Sequence, residues 1–288
     1  MPKRTPYTWL QPDFPGDGSD MSWQDPTLLV ICQNADVDTA MQPLLRSLQQ
    51  PFAPGLVASV FVHETMRNAF CERVRSSMEL MHRQAASHAH YRRAVEMVDC
   101  LHAEVVSMLT PDDIRFQFKM SVGSPVIVCE FDQSFFGGSR PSSVVTLHTF
   151  RHASELPRLL ANERVPFVSA AVWGKKMATV YEAALHVDLS VVYINCQAVP
   201  LTPVQEFLEA KQPHVVLARY HHFEVILHGA QHRVIVYPAR VIWEPPVRAS
   251  AGAEEEPPSE GRKIATHRKS KDKARGLPKS SLRSFSKV

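Results

Sequence analysis

The sequence has no run of about 18 apolar residues, which excludes a membrane-spanning helix. Its first twenty residues are polar and rich in Pro, Asp and Gly, with no apolar core of the kind a secretory signal needs. Cysteine is sparse. The five (Cys32, Cys71, Cys100, Cys129 and Cys196) are scattered, odd in number and form no CxxC pair. That excludes a disulfide framework and a zinc ribbon, and it fits a reducing, cytoplasmic setting. No GxGxxG occurs, so the dinucleotide-binding fingerprint is missing. No segment repeats at about 20 to 50 residues, which excludes solenoids and propellers.

What is present suffices for a folded body. Hydrophobic residues make up 44% of the 288, enough to bury a sizeable core. Charge is uneven. The formal total is +3, yet Arg262–Val288 holds ten Lys/Arg against one Asp, or +9, which leaves −6 for the first 261 residues. The basic character therefore belongs to a tail.

Residues Met1–Asp20 read as a flexible arm, broken by Pro2, Pro6, Pro12 and Pro15. Thr27–Cys32 is a short apolar run, expected as a buried strand. Asn34–Asp38 caps a helix through Met41, Leu44, Leu45 and Leu48. Gly55–Val62 is a second strand. A helix from Glu64 carries the stripe Met66, Phe70, Val74, Met78 and Met81, a core pattern. After a polar break at Gln84–His88, a further helix runs through Tyr91, Val95, Val98, Leu101 and Val105 to a stop at Thr110-Pro111. Strands are expected at Val126–Cys129, Val144–Phe150, Val165–Trp173 and Ser190–Ile194, with helices at Ser154–Asn162 and Lys175–His186. This alternation argues for parallel βαβ units and an α/β fold. Val215–Trp243 alternates around Gly229 and reads as an antiparallel hairpin, Phe223–Leu227 with Val234–Tyr237. Beyond Glu244 the composition cannot repay ordering entropy, so residues 244–288 read as a disordered basic tail.

Four segments in order carry a resemblance. Asn34-Ala-Asp-Val-Asp38 is similar to "DADLD", and Val60-Phe-Val-His-Glu64 to "VFVHE". Leu160–Gly174 is similar to "LANDTPYGLAASVWT", and Val191–Asn195 to the end of "GTVWVN". Together they resemble the C-terminal, catalytic-domain half of the aldehyde dehydrogenase superfamily, over Met21 to Asn195. The resemblance implies a mostly parallel sheet with flanking helices, to which the C-terminal hairpin and tail are added. It places a degenerate form of that domain at residues 21–243.

The chemistry it implies needs a thiolate nucleophile. In the register set by Val60-Phe-Val62, Pro54 stands at that position. Proline offers neither a nucleophile nor an N–H for an oxyanion. Ser22 stands where the general base belongs, with Asp20 two residues off. Matching Phe136-Gly137 to "EIFGP" puts Ser134 at the ribose-holding carboxylate and Gly138 at the proline. Asn195 stays in place, while Ser190 replaces a glycine. Only about 20 residues precede Met21, too few for a βαβ unit of about 30 residues, so no cofactor is expected.

The remaining candidates have plain readings. Cys32 is a core thiol, Cys71 sits on a helix with room for partial exposure, and Cys196 ends a strand. His82, His88, His90, His221, His222, His228 and His232 lack the convergent spacing of a metal site and read as surface residues; no metal is expected. Arg268, Lys269, Lys271, Lys273 and Arg275 form a basic stretch suited to nuclear import, nucleic-acid backbone or an acidic surface.

The leading expectation is a catalytically inactive aldehyde-dehydrogenase-like interaction or scaffold protein. It would pair with itself or an intact relative through the hairpin edge. Two alternatives stay open: an oxidoreductase of the family with retained or altered activity, and a nucleic-acid or filament binder acting through the tail.

Overall fold

The computed structural model describes residues 22–109, 123–137, 140–228 and 231–240. The arm, the Thr110-Pro111 stop, Gly138, Gly229 and the basic tail with Arg268, Lys269, Lys271, Lys273 and Arg275 lie outside the described residues. The chain divides at Ile242, and the described residues all belong to the unit Met1–Ile242.

The sheet is built from β-branched runs. In chain order, β1 (Thr27–Ile31) leads through α1 (Val37–Ala40) and α2 (Gln42–Gln49) to β2 (Val57–His63). Next come α3 (Arg67–Ser77), α4 (Arg83–Ser87) and α5 (Ala89–Cys100), then β3 (Val105–Ser107), β4 (Val126–Cys129) and β5 (Val145–Phe150). The second half holds α6 (Leu156–Glu163), β6 (Ser169–Trp173), α7 (Met177–His186), β7 (Val191–Ile194) and α8 (Gln205–Glu209). It ends in β8 (His214–Ala218), β9 (His221–His228) and β10 (Gln231–Pro238).

Among the described residues, ten strands form one sheet in the order β3-β4-β5-β2-β1-β6-β7-β10-β9-β8. The stretch from β4 to β10 is parallel throughout. Antiparallel pairs, β3–β4 at one end and β10–β9–β8 at the other, flank it. The expected α/β, mostly parallel architecture is therefore the one observed.

Every residue of β1 is buried because helices cover both sheet faces. Leu29 and Ile31 pack with Leu44 of α2 and with Phe70 and Val74 of α3. Leu28 and Val30 face the other way, onto Leu156 of α6 and onto Val180 and Ala184 of α7. A third cluster, on the α6–α7 face, joins Tyr91, Ala94 and Val95 of α5 to Val126 and Val128.

Several expectations need correction. The polar break at Gln84–His88 is mostly helical, because Ala85 and Ala86 are buried and anchor α4. The following helix stops at Leu101 rather than running to Val105. His102 takes a left-handed φ of 48° there, and β-branched Val105 and Val106 join the sheet as β3. Val165–Val168 precede β6 instead of belonging to it. The expected antiparallel hairpin is present as β9 and β10, and β10 also joins the sheet by pairing in parallel with β7.

One buried cation fixes that attachment. Arg233 on β10 is 2% exposed. Its guanidinium donates to the carbonyls of Ala184 at 3.0 Å and Leu185 at 2.8 Å, and it pairs with Asp188 at 3.1 Å. A cation at the C-terminus of α7 satisfies carbonyls that the helix leaves open. Arg233→Ala is expected to cost about 2–3 kcal/mol, the range for hydrogen bonds from a charged donor. Urea unfolding measures it; an unchanged midpoint would show that β10 is held by its strand neighbours alone.

Candidate functional site

Of the residues singled out from sequence, Pro54 and Ser134 line different cavities. Pro54 is exposed, in the turn before β2. It lines a cavity of about 300 Å³ with Arg46 and Gln50 of the α2 region and with Gln197. Ser22 is exposed ahead of β1, and Ser134 is exposed in the turn after β4. Asn195, with a φ of 50°, is fully engaged: its side chain accepts from Gly174 N and donates to Gly174 O, both at 2.9 Å. Gly174 itself sits so close to Val180 that a Cβ there would lie 2.5 Å from a valine methyl. Asn195 thus clamps the ends of β6 and β7.

Four of the five thiols are held in the protonated form. Burial first, with Glu182 adding, pushes Cys32 up to about 12. Burial also pushes Cys129 and Cys196 up to about 12. Cys71, expected to be partly exposed, is buried with its pKa raised, because α3 turns it onto the sheet. Cys100 is exposed at the end of α5. His88, expected at the surface, is buried against Phe52 with ring centres 4.4 Å apart.

Sequence reasoning missed a concentrated buried polar group among the described residues. Thr146 and His148 on β5 share a face with Ser59 of β2, and Glu163 closes over them from the end of α6. Glu163 is fully buried. Its Oε1 accepts from the Thr146 hydroxyl at 2.6 Å and lies 2.7 Å from His148 Nε2, while its Oε2 accepts from Gln133 N–H at 2.9 Å. Gln133, also fully buried, donates to the carbonyls of Ala58 and Val144 and accepts from Ser142. Asp132 Oδ1 lies 3.7 Å from His148 Nε2, and Glu130 lies 3.9 Å from Nδ1.

Burial pulls His148 toward the neutral form, but the bond to Glu163 and the nearby Glu130 and Asp132 outweigh it and raise the pKa. Burial raises Asp132, with His148 opposing. His148, Asp132 and Glu163 offer three ligand atoms within 4.8 Å of one another, a donor set that suits a divalent cation. Both oxygens of Glu163 are already engaged, so a cation would have to displace the His148 bond. The arrangement works as a buried ion pair.

The signal lay in β5 itself. Val-Thr-Leu-His-Thr-Phe alternates over its first four residues, yet its polar Thr146 and His148 occupy a covered face. A buried histidine there demands a partner.

His148→Ala leaves the Glu163 carboxylate buried without its cation and is expected to cost about 3–5 kcal/mol. The pH dependence has a definite sign. A histidine whose folded pKa is raised stabilises fully below the ordinary value of 6.5 and loses that contribution as pH rises through the folded value. Asp132, also raised, acts in the same direction over a window that opens at its ordinary value of 3.8, so the fall above pH 6 is assigned to His148. Urea midpoints should therefore fall from pH 6 to pH 9 and flatten in His148→Gln. An unchanged slope in that variant would refute the assignment.

Comparison with known proteins gives the following matches. Residues 22–243 match the family described as "Protein of unknown function (DUF1487)". No curated protein matches the sequence. Among solved structures, an oxidoreductase from Marinobacter aquaeolei is similar at 18% identity, over 62% of this chain and 40% of that one, with a TM-score of 0.46. A NAD-dependent benzaldehyde dehydrogenase from Corynebacterium glutamicum is similar at 15% identity, over 65% and 42%, with a TM-score of 0.46. The aldehyde dehydrogenase KauB from Pseudomonas aeruginosa is similar at 14% identity, over 62% and 39%, with a TM-score of 0.45. The chain spans about two fifths of the length of these structures.

Proposed function

The chain belongs to the DUF1487 family, and we propose that it is a catalytically silent, aldehyde-dehydrogenase-like body that serves as an interaction module. The observation that carries this reading is the state of the nucleophile. An exposed proline, Pro54, occupies the position where the motif register expects the reactive cysteine. The four covered thiols all have raised pKa values. A thiol held protonated does not attack a carbonyl.

The partner is a second copy of this chain, paired through β8. That strand lies at the end of the sheet order. Val215 and Leu217 are 62% and 61% exposed on one side of it. Its sequence, His-Val-Val-Leu-Ala, carries no Lys or Pro, the usual guards against edge pairing. Two copies meeting edge to edge across a two-fold axis make a self-complementary interface.

Two measurements test the reading. Supplying aldehyde with nicotinamide cofactor should give no cofactor reduction, and a thiol reagent should label Cys100 far faster than the other four cysteines. Light scattering should give a dimer that becomes a monomer in Val215→Lys/Leu217→Lys with unchanged circular dichroism. Turnover, or a monomer at all concentrations, would overturn the corresponding half of the proposal.

A further inference from the structure

At the opposite end of the sheet, α5 and the turn at Ser134–Gly137 enclose a cleft of about 350 Å³. That volume falls at the lower end of the range for small-molecule sites. Its wall is basic: Arg93 and His90 come from α5, and Arg140 comes from the chain beyond the turn. Among the described residues, no Asp or Glu lines it. Glu96, one turn along α5, neither lines the cleft nor pairs with Arg93. Both guanidinium groups are exposed and make no hydrogen bond or ion pair with a described residue. His90 has one nitrogen committed, Nδ1, at 3.1 Å from the Pro141 carbonyl, so Nδ1 donates and Nε2 stays available.

The other part of the wall is apolar. Phe135 is 48% exposed at the rim. Phe131 holds its ring edge-on at 5.7 Å, a fixed platform rather than a free side chain. Gly137 makes the turn tight, since a Cβ there would lie 2.3 Å from the Arg140 carbonyl. The motif register would place a carboxylate at Ser134; the hydroxyl found there repels no anion.

We propose that this cleft binds a phosphate monoester carried on a flat apolar body. Two guanidinium groups from separate elements match the charge of about −1.5 to −2 on such a group at neutral pH. A single carboxylate would leave positive charge unmatched. The exposed ring of Phe135 stacks the apolar body while Arg93 and Arg140 hold the phosphate.

Calorimetric titration of the full chain with phenyl phosphate tests the assignment, with inorganic phosphate and benzoate as comparisons. Phenyl phosphate should bind at one site per chain, tighter than either comparison and more weakly as salt rises. Arg93→Ala/Arg140→Ala should weaken it at least about ten-fold, a change of about 1.4 kcal/mol. Phe135→Ala should bring phenyl phosphate down to the level of inorganic phosphate. Arg158→Ala, an exposed arginine outside the cleft, should change nothing. The arginine side chains have no partners among the described residues, so their variants should melt as the parent does. No saturation by roughly 10 mM, weaker than the millimolar range that already corresponds to only about 4 kcal/mol, would overturn the proposal. Benzoate binding as tightly as phenyl phosphate, or equal losses in Arg158→Ala, would overturn it too. None of these outcomes depends on β8 pairing or on the cysteines.

Discussion

A fully buried carboxylate, Glu163, is the constraint on which this face of the molecule is built. Removing an ion from water costs several kcal/mol even after relaxation, and the cost is met only when every lone pair finds a donor. Here the donors come from three places: the Gln133 backbone, the Thr146 hydroxyl and His148. The carboxylate therefore ties the end of α6, the middle of β5 and the turn after β4 to one another. It lies between two apolar clusters on the same face, one beneath α6 and α7 and the other beneath α5. Packing alone would let those clusters slide; a hydrogen-bonded seam sets one register. Because Gln133 opens the turn that carries Ser134–Gly137, the basic cleft inherits its shape from this seam.

The strands were legible wherever β-branched runs were flanked by turn residues, as at Thr27–Ile31 and Val191–Ile194. Sequence reasoning failed where tertiary packing overrode local character. Gln84–Ser87 looks polar, yet two small alanines fit the core and make it helix. Val105 continues a helical spacing, yet a sheet edge was the better place for a β-branched residue. The site was legible only in part. Positions judged empty of chemistry, such as Pro54, follow from the motif register alone. The His148–Glu163 pair joins residues fifteen apart on different elements, and no spacing rule links a strand to the end of the helix after it. Likewise, the emptiness of the wall around Arg93 and Arg140 is a three-dimensional fact.

The two ends of the sheet are finished differently. At one end β3 is three residues long and antiparallel, a short edge of the kind that discourages further pairing. At the other end the hairpin is fastened by Arg233 to the carbonyls of α7, so β8 is presented on a firm base. A strand held that way loses little further freedom on pairing. That asymmetry supports the proposed pairing through β8, since a single free edge makes a closed pair rather than an open chain of copies.

The motif residues that carry the family resemblance have structural work in this fold. Asp36 caps α1 through Thr39, Val60 and Phe61 are in the core, and Glu64 pairs with Arg151 at 2.7 Å. Asn195 is bound at both polar atoms to Gly174. The positions at which the resemblance expects the chemistry, Pro54, Ser22 and Ser134, are all exposed. A surface position can change without cost to stability, whereas a cap, a core strand or a strand clamp cannot. That division is in keeping with the proposal that this chain works through its body and its surfaces rather than through thiol chemistry.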